Sequence, residues 1–245
     1  MKITNSISAR MFVLSLILVA CPSLVKAEAV AGQVKNVIGD ATVILPNGKH
    51  EQITTDTTIP AGSKIQTGPD SRLVVQWMPG ALSVITSSAA VAVSSLNYSD
   101  AGGAPQRKVA LNLTQGSVFS HLAHNSGTSD FHIKTPTAVA AARGTDWEVT
   151  VHGHNTTVSV VSSAVDVSLP ADLHITVKAG YVYSVTAGGE PVALTQDELN
   201  EIVSILEQAG IHVGQSNVGQ VYQHGTHNLP LDETPITKGG FNSSN

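Results

Sequence analysis

Thr135-Pro136-Thr137-Ala138-Val139-Ala140-Ala141-Ala142-Arg143-Gly144-Thr145-Asp146-Trp147-Glu148-Val149 is the stretch on which the fold turns. Pro136 removes a backbone donor and holds Thr135 extended. Residues 138–142 are small and lie between strand signals, so they read as a strand rather than a helix start. Small side chains there let two sheets approach closely. Gly144 permits a turn with positive φ. Arg143 carries five donors in a rigid fork. A buried guanidinium is costly unless paired. We therefore expect Arg143 to bond carbonyls of neighbouring turns, or a carboxylate such as Asp146, Glu148 or Asp166.

On both sides of this stretch the chain alternates. Val43-Ile44-Leu45, Pro46-Asn47-Gly48 and Lys49-His50-Glu51-Gln52-Ile53 read as a hairpin, because Asn-Gly takes positive φ cheaply. Leu73-Val74-Val75-Gln76-Trp77 and Leu82-Ser83-Val84-Ile85 flank a Pro79-Gly80 turn. Val109, Leu111 and Leu113 share one strand face, and Gln115-Gly116 leads into Ser117-Val118-Phe119. Further strands are expected at Glu148-Val149-Thr150-Val151, Thr157-Val158-Ser159-Val160-Val161, Val165-Asp166-Val167-Ser168-Leu169, Ile175-Thr176-Val177 and Tyr181-Val182-Tyr183-Ser184-Val185. Short strands at this spacing predict an all-β fold of stacked sheets, either a β-sandwich or a β-solenoid. Gly32-Gln33-Val34, Gly116-Ser117-Val118 and Gly180-Tyr181-Val182 form a loose internal repeat, with Ser163-Ala164-Val165 in the equivalent place. Loops are expected at Asp100-Ala101-Gly102-Gly103-Ala104-Pro105 and His124-Asn125-Ser126-Gly127-Thr128-Ser129.

One helix is predicted, near the end. Thr195-Gln196-Asp197-Glu198 is a capping box, and Leu199, Ile202, Val203 and Leu206 then share a face that should cover an apolar patch or edge of the sheet. Gly210 stops it.

The central stretch resembles the hallmark of the FecR-like domain: a Thr-Pro entry, a small-apolar strand, Arg-Gly-Thr, an aromatic and another strand. Ile59-Pro60-Ala61-Gly62-Ser63-Lys64-Ile65-Gln66-Thr67-Gly68 is similar to that family's Gly-x-x-Ile-x-Thr-Gly turn, and Val177-Lys178-Ala179-Gly180-Tyr181 to its closing strand. The resemblance spans about residues 30–190 and makes Thr135, Pro136, Arg143, Gly144, Thr145 and Trp147 the structural family motif. Ser163 stands where the family usually has glycine, and Pro79 where an acid is common. The best-known relatives are envelope regulators with a cytoplasmic anti-sigma region, one membrane span and a periplasmic FecR domain. Only ten residues precede the hydrophobic segment here. The expectation is therefore a stand-alone exported FecR-like protein without anti-sigma activity.

That hydrophobic segment, Met11-Phe12-Val13-Leu14-Ser15-Leu16-Ile17-Leu18-Val19-Ala20, is too short to span a bilayer core of about 30 Å. With Lys2 and Arg10 before it and Val25-Lys26-Ala27 after it, residues 1–27 read as a signal peptide cleaved after Ala27. A rival reading takes Leu18-Val19-Ala20-Cys21 as a lipobox with Cys21 lipidated, which would make an outer-membrane lipoprotein. Residues 28–193 are then the FecR-like β domain, 194–210 the C-terminal helix and 211–245 a tail with the composition of disorder. The expected location is periplasmic or secreted.

The 245 residues hold 13 Lys and Arg against 18 Asp and Glu, a net charge of −5. Removing residues 1–27 takes three bases and no acid, giving 10 − 18 = −8. That balance argues against nucleic acid, whose phosphates need a basic surface. One cysteine excludes a disulfide framework. The histidine pairs His121/His124, His152/His154 and His224/His227 match no metal framework. No Gly-x-Ser-x-Gly, Walker or dinucleotide motif occurs, and nothing brings Asp70 and Asp166 together as an acid pair. The chain is expected to be non-enzymatic, with no catalytic residue, metal or cofactor. Its expected role is to bind an envelope protein through a sheet edge. The alternative is a glycan or peptidoglycan module using Trp77, Trp147, Tyr181 and Tyr183 as stacking groups.

Overall fold

The structure, a computed structural model, describes residues 30–100, 104–124 and 127–213. The leader, Cys21, Ala27, His224, His227 and the tail beyond Val213 lie outside the described residues. Within them the fold is all-β with one helix, as the alternation predicts.

Two sheets share a single strand. Sheet I runs in space as β4 (Thr58–Pro60), β1 (Ala31–Ile38), β6 (Arg72–Met78), β7 (Ala81–Ile85), the second half of β9 (Gln106–Leu122), β12 (Asp146–His152), β13 (Asn155–Val160), β16 (Tyr181–Ser184) and β17 (Val192–Ala193). Sheet II runs as β3 (His50–Gln52), β2 (Ala41–Ile44), β5 (Lys64–Thr67), β8 (Ala90–Ser99), the first half of β9, β10 (Ser129–Lys134), β11 (Val139–Ala142), β14 (Ala164–Leu169) and β15 (Leu173–Lys178). From β10 onward the chain lays down hairpins in strict alternation between the sheets: β10–β11, β12–β13, β14–β15, β16–β17.

The Gln115-Gly116 junction does not end a strand. β9 continues through it for 17 residues and changes sheet. Gly116 makes the bend at φ +81, and a Cβ there would sit 2.6 Å from Ala89. Any other residue would therefore meet both a left-handed backbone and a clash. The strand's second half is also the crossover that a parallel pair requires. It lets β10 return beside the first half of β9 in the only parallel pairing described.

The inward residues of both sheets make one core, including Val75, Trp77, Leu111, Leu113, Phe131, Ile133 and Trp147. Phe131 meets Trp147 edge-on, centroids 5.9 Å apart at 83°. Inside this core Trp77 Nε1 donates to Ser83 Oγ at 2.9 Å, and Ser83 and Ser120 pair at 3.0 Å.

The outer face of sheet I is also apolar, and helix α1 (Gln196–Gln208) covers part of it. Leu199, Ile202 and Leu206 pack with Val74, Val84 and Phe119. Thr195 and Glu198 complete the expected capping box, and Gly210 takes φ +77 after the helix. The Asn47-Gly48 hairpin forms as read, with Gly48 at φ +82. No helix among the described residues is long and apolar enough to cross a membrane.

Candidate functional site

Many of the sequence-predicted residues gather at one end of the sandwich, where β6 meets β7, β9 leaves sheet I, and β11 turns into β12. The centre of that end is Arg107, 4% exposed on the inward face of β9. Its Nη1 donates to the carbonyls of Gly80 (2.9 Å) and Pro79 (3.2 Å), its Nη2 to that of Ala123 (2.5 Å), and its Nε to Ser129 Oγ (3.1 Å). Burial lowers its pKa from the ordinary guanidinium value. Gly80 must be glycine here: its φ is +73, and a Cβ would lie 2.3 Å from Arg107 Nη1.

Arg107 thus holds the position expected of Arg143. Arg143 is exposed and makes no hydrogen bond or ion pair among the described residues. It follows Ala142, whose side chain faces the core, so strand parity turns Arg143 outward as β11 ends. Gly144 likewise departs from expectation. Its φ is not positive; it is small because His124 Nδ1 would lie 3.0 Å from a Cβ there. Ser163, in the place of a family glycine, does take positive φ, at +61.

Thr145 and Asp146 build a polar cleft of about 290 Å³ with His121, His124, Gly144, Ser162 and Ser163. Asp146 and His121 are directly opposite on β12 and β9. Their Oδ1 and Nδ1 lie 2.6 Å apart. Ser162 Oγ donates to Asp146 Oδ2 at 2.9 Å and accepts from the Asp146 N–H at 2.9 Å. Thr145 Oγ1 donates to the Ser162 carbonyl. Chemically this is a braced His–carboxylate pair. Ser162 gives its proton to Asp146 rather than to His121, so it is not arranged as a nucleophile. No group of three or more His, Cys, Asp or Glu placed to hold a metal occurs among the described residues.

The other motif residues lie elsewhere. Thr135 and Pro136 sit at the opposite end, where Thr135 Oγ1 donates to the Ala138 carbonyl (3.1 Å) and accepts from Ala138 N–H (3.0 Å) and Thr156 Oγ1 (2.8 Å). Trp147 is fully buried, and its Nε1 has no hydrogen-bond partner among the described residues. Trp77 and Tyr183 are buried as well, which leaves Tyr181 alone of the four named aromatics open to a sugar. Gly153 turns β12 into β13 at φ +59, so His152 and His154 are exposed turn neighbours rather than one strand face. Asp70 lies in the β5–β6 turn, whereas Asp166 sits on β14 and accepts from Thr176 Oγ1 at 2.8 Å.

A second cleft, about 250 Å³, lies between α1 and sheet I, lined by Phe119, Glu148, Thr150, Val182, Glu198 and Glu201 among others. Burial pushes the Glu148 carboxyl up from its ordinary pKa, the Thr150 and Ser117 hydroxyls oppose that, and Glu201 adds to the rise. Thr150 Oγ1 donates to Glu148 Oε1 at 2.7 Å.

The middle of this architecture, from β5 into β14, and the whole Arg-Gly-Thr turn fall within residues 63–166, which match the family model described as FecR protein. No curated protein matches the chain. Two solved structures, each described as a candidate anti-sigma factor from Parabacteroides distasonis, are similar at 16% and 17% identity with TM-scores of 0.45 and 0.41. The matches cover 58% and 55% of this chain, and 64% and 60% of those chains, less than two thirds of either. The matched stretch begins at the β4–β5 turn and ends within β14, taking in β9 and both halves of the central motif: over residues 63–166 this protein carries a FecR domain.

Proposed function

We propose that the chain is an exported, non-catalytic FecR-domain module that takes part in envelope signalling by holding a protein partner along one sheet edge. The domain match supports a regulatory rather than a chemical role. The observation that carries the edge reading is β15. Each sheet has two edge strands. β3 and β4 have three residues each, β4 ending in Pro60, and β17 has two. β15 has six, without proline, and among the described residues pairs on one side only, with β14. Unpaired N–H and C=O groups along such an edge accept an added strand. Three of the four exposed large hydrophobic residues described, Leu173, Tyr181 and Val192, lie on β15, β16 and β17.

The test is capture from cell-envelope extract by tagged wild-type protein and by Thr176→Pro. The Ala179 N–H bonds the Ser163 carbonyl, so by alternation the Thr176 N–H faces away from β14. Proline there removes a donor from the free side only. Loss of a specific captured protein is expected; identical capture would overturn the reading. Export has its own test. Mass spectrometry of protein recovered from cells is expected to find Glu28, or a lipidated Cys21, at the N-terminus; an intact Met1 would refute it.

A further inference from the structure

We infer that the partner taken by this edge is β15 of a second copy, joined antiparallel about a two-fold axis through Ile175. The inference rests on the edge reading above and adds the occupant. The bond from Ala179 N–H to Ser163 O makes residues 173, 175 and 177 the hydrogen-bonded partners of β14. His174, Thr176 and Lys178 therefore turn their N–H and C=O outward. With Ile175 opposite Ile175 of the second copy, His174 meets Thr176 in the hydrogen-bonded positions. Leu173, 53% exposed, comes opposite Val177, whose own side chain is already buried in the core. Lys178, at the end of β15, comes level with the exposed turn residue Asp172, which has φ +55, and it does so twice by symmetry.

This register is self-complementary in each respect that matters at an edge. Apolar residues oppose apolar residues, the free main-chain groups are matched, and the terminal charges are of opposite sign. Moving the axis to Thr176 sets Lys178 against His174 instead of Asp172, and moving it to His174 shortens the pairing within β15. The product is an isologous interface in which sheet II runs unbroken from one copy into the next.

Size-exclusion chromatography with light scattering is expected to give twice the chain mass at micromolar concentration. Lys178→Asp, an exposed position outside the core, replaces two attractions by two repulsions and should weaken the dimer about tenfold or more. In a Cys21→Ser background, Ile175→Cys is expected to form a 175–175 disulfide on mild oxidation, because unbonded antiparallel pairs bring Cα atoms to about 4.5 Å. Thr176→Cys should not. A monomer at every concentration without the 175–175 crosslink overturns the inference, as does a dimer crosslinked at 176 instead. If the protein is monomeric while Thr176→Pro still abolishes partner capture, the dimer fails and the edge reading stands. If Thr176→Pro alters neither mass nor capture, both fail.

Discussion

The outer face of sheet I and the free edge of sheet II pose the same problem and resolve it differently. Both present apolar side chains beyond the sandwich core. On sheet I, Val74, Val84 and Phe119 are buried because the chain supplies its own cover: a capped helix inserting Leu199, Ile202 and Leu206. On sheet II the last strand ends at Lys178 with Leu173 half exposed and nothing from the described chain alongside. The helix face is thus covered from within, whereas the edge strand, with Val177 in the core, leaves its outer main-chain groups unpaired among the described residues.

That contrast can be broken by mutation, and the expected effects fall in order. Leu206→Ala, at a fully buried position, should destabilise by about 2–5 kcal/mol. A loss below about 1 kcal/mol by urea denaturation would mean the helix is not a structural cover. Thr195→Ala removes the cap and should cost about 1 kcal/mol. Glu148→Gln should act in the opposite sense and by less. The folded state raises the Glu148 pKa, so it binds more protons than the unfolded chain, and stability falls as pH climbs through the window above the ordinary Glu value of about 4.3. Glu148→Gln is therefore expected to raise the melting temperature at pH 7, the gain shrinking toward zero below pH of about 4. A gain independent of pH would deny the role of the charge. Leu173→Ser, measured at monomer concentrations, should change stability by no more than about 0.5 kcal/mol.

The strands were legible because Val, Leu and Ile alternate cleanly, as in Val109, Leu111 and Leu113, and the helix because Thr195 and Glu198 announce its start. The buried arginine was legible too, though on the wrong residue. Extending the Val109–Leu111–Leu113 parity back by one step places Arg107 on the core face, whereas Ala142 already occupies the inward position next to Arg143. Arg143→Lys should accordingly leave the melting temperature unchanged. The His121–Asp146 pair was not legible, because it depends on the register of β9 against β12, strands separated by a hairpin in the other sheet. Gly116 looked like a strand end for a similar reason: glycine marks a turn and a bend between sheets with the same residue type.

A strand common to both layers also ties their fates together. β9 bonds β8 and β10 in one layer and β7 and β12 in the other. Neither layer can fray at its middle without dragging the same seventeen residues out of its counterpart. Cutting the backbone at Gly116 would consequently yield fragments that each carry half of a missing keel, complementing one another when mixed but folding poorly apart.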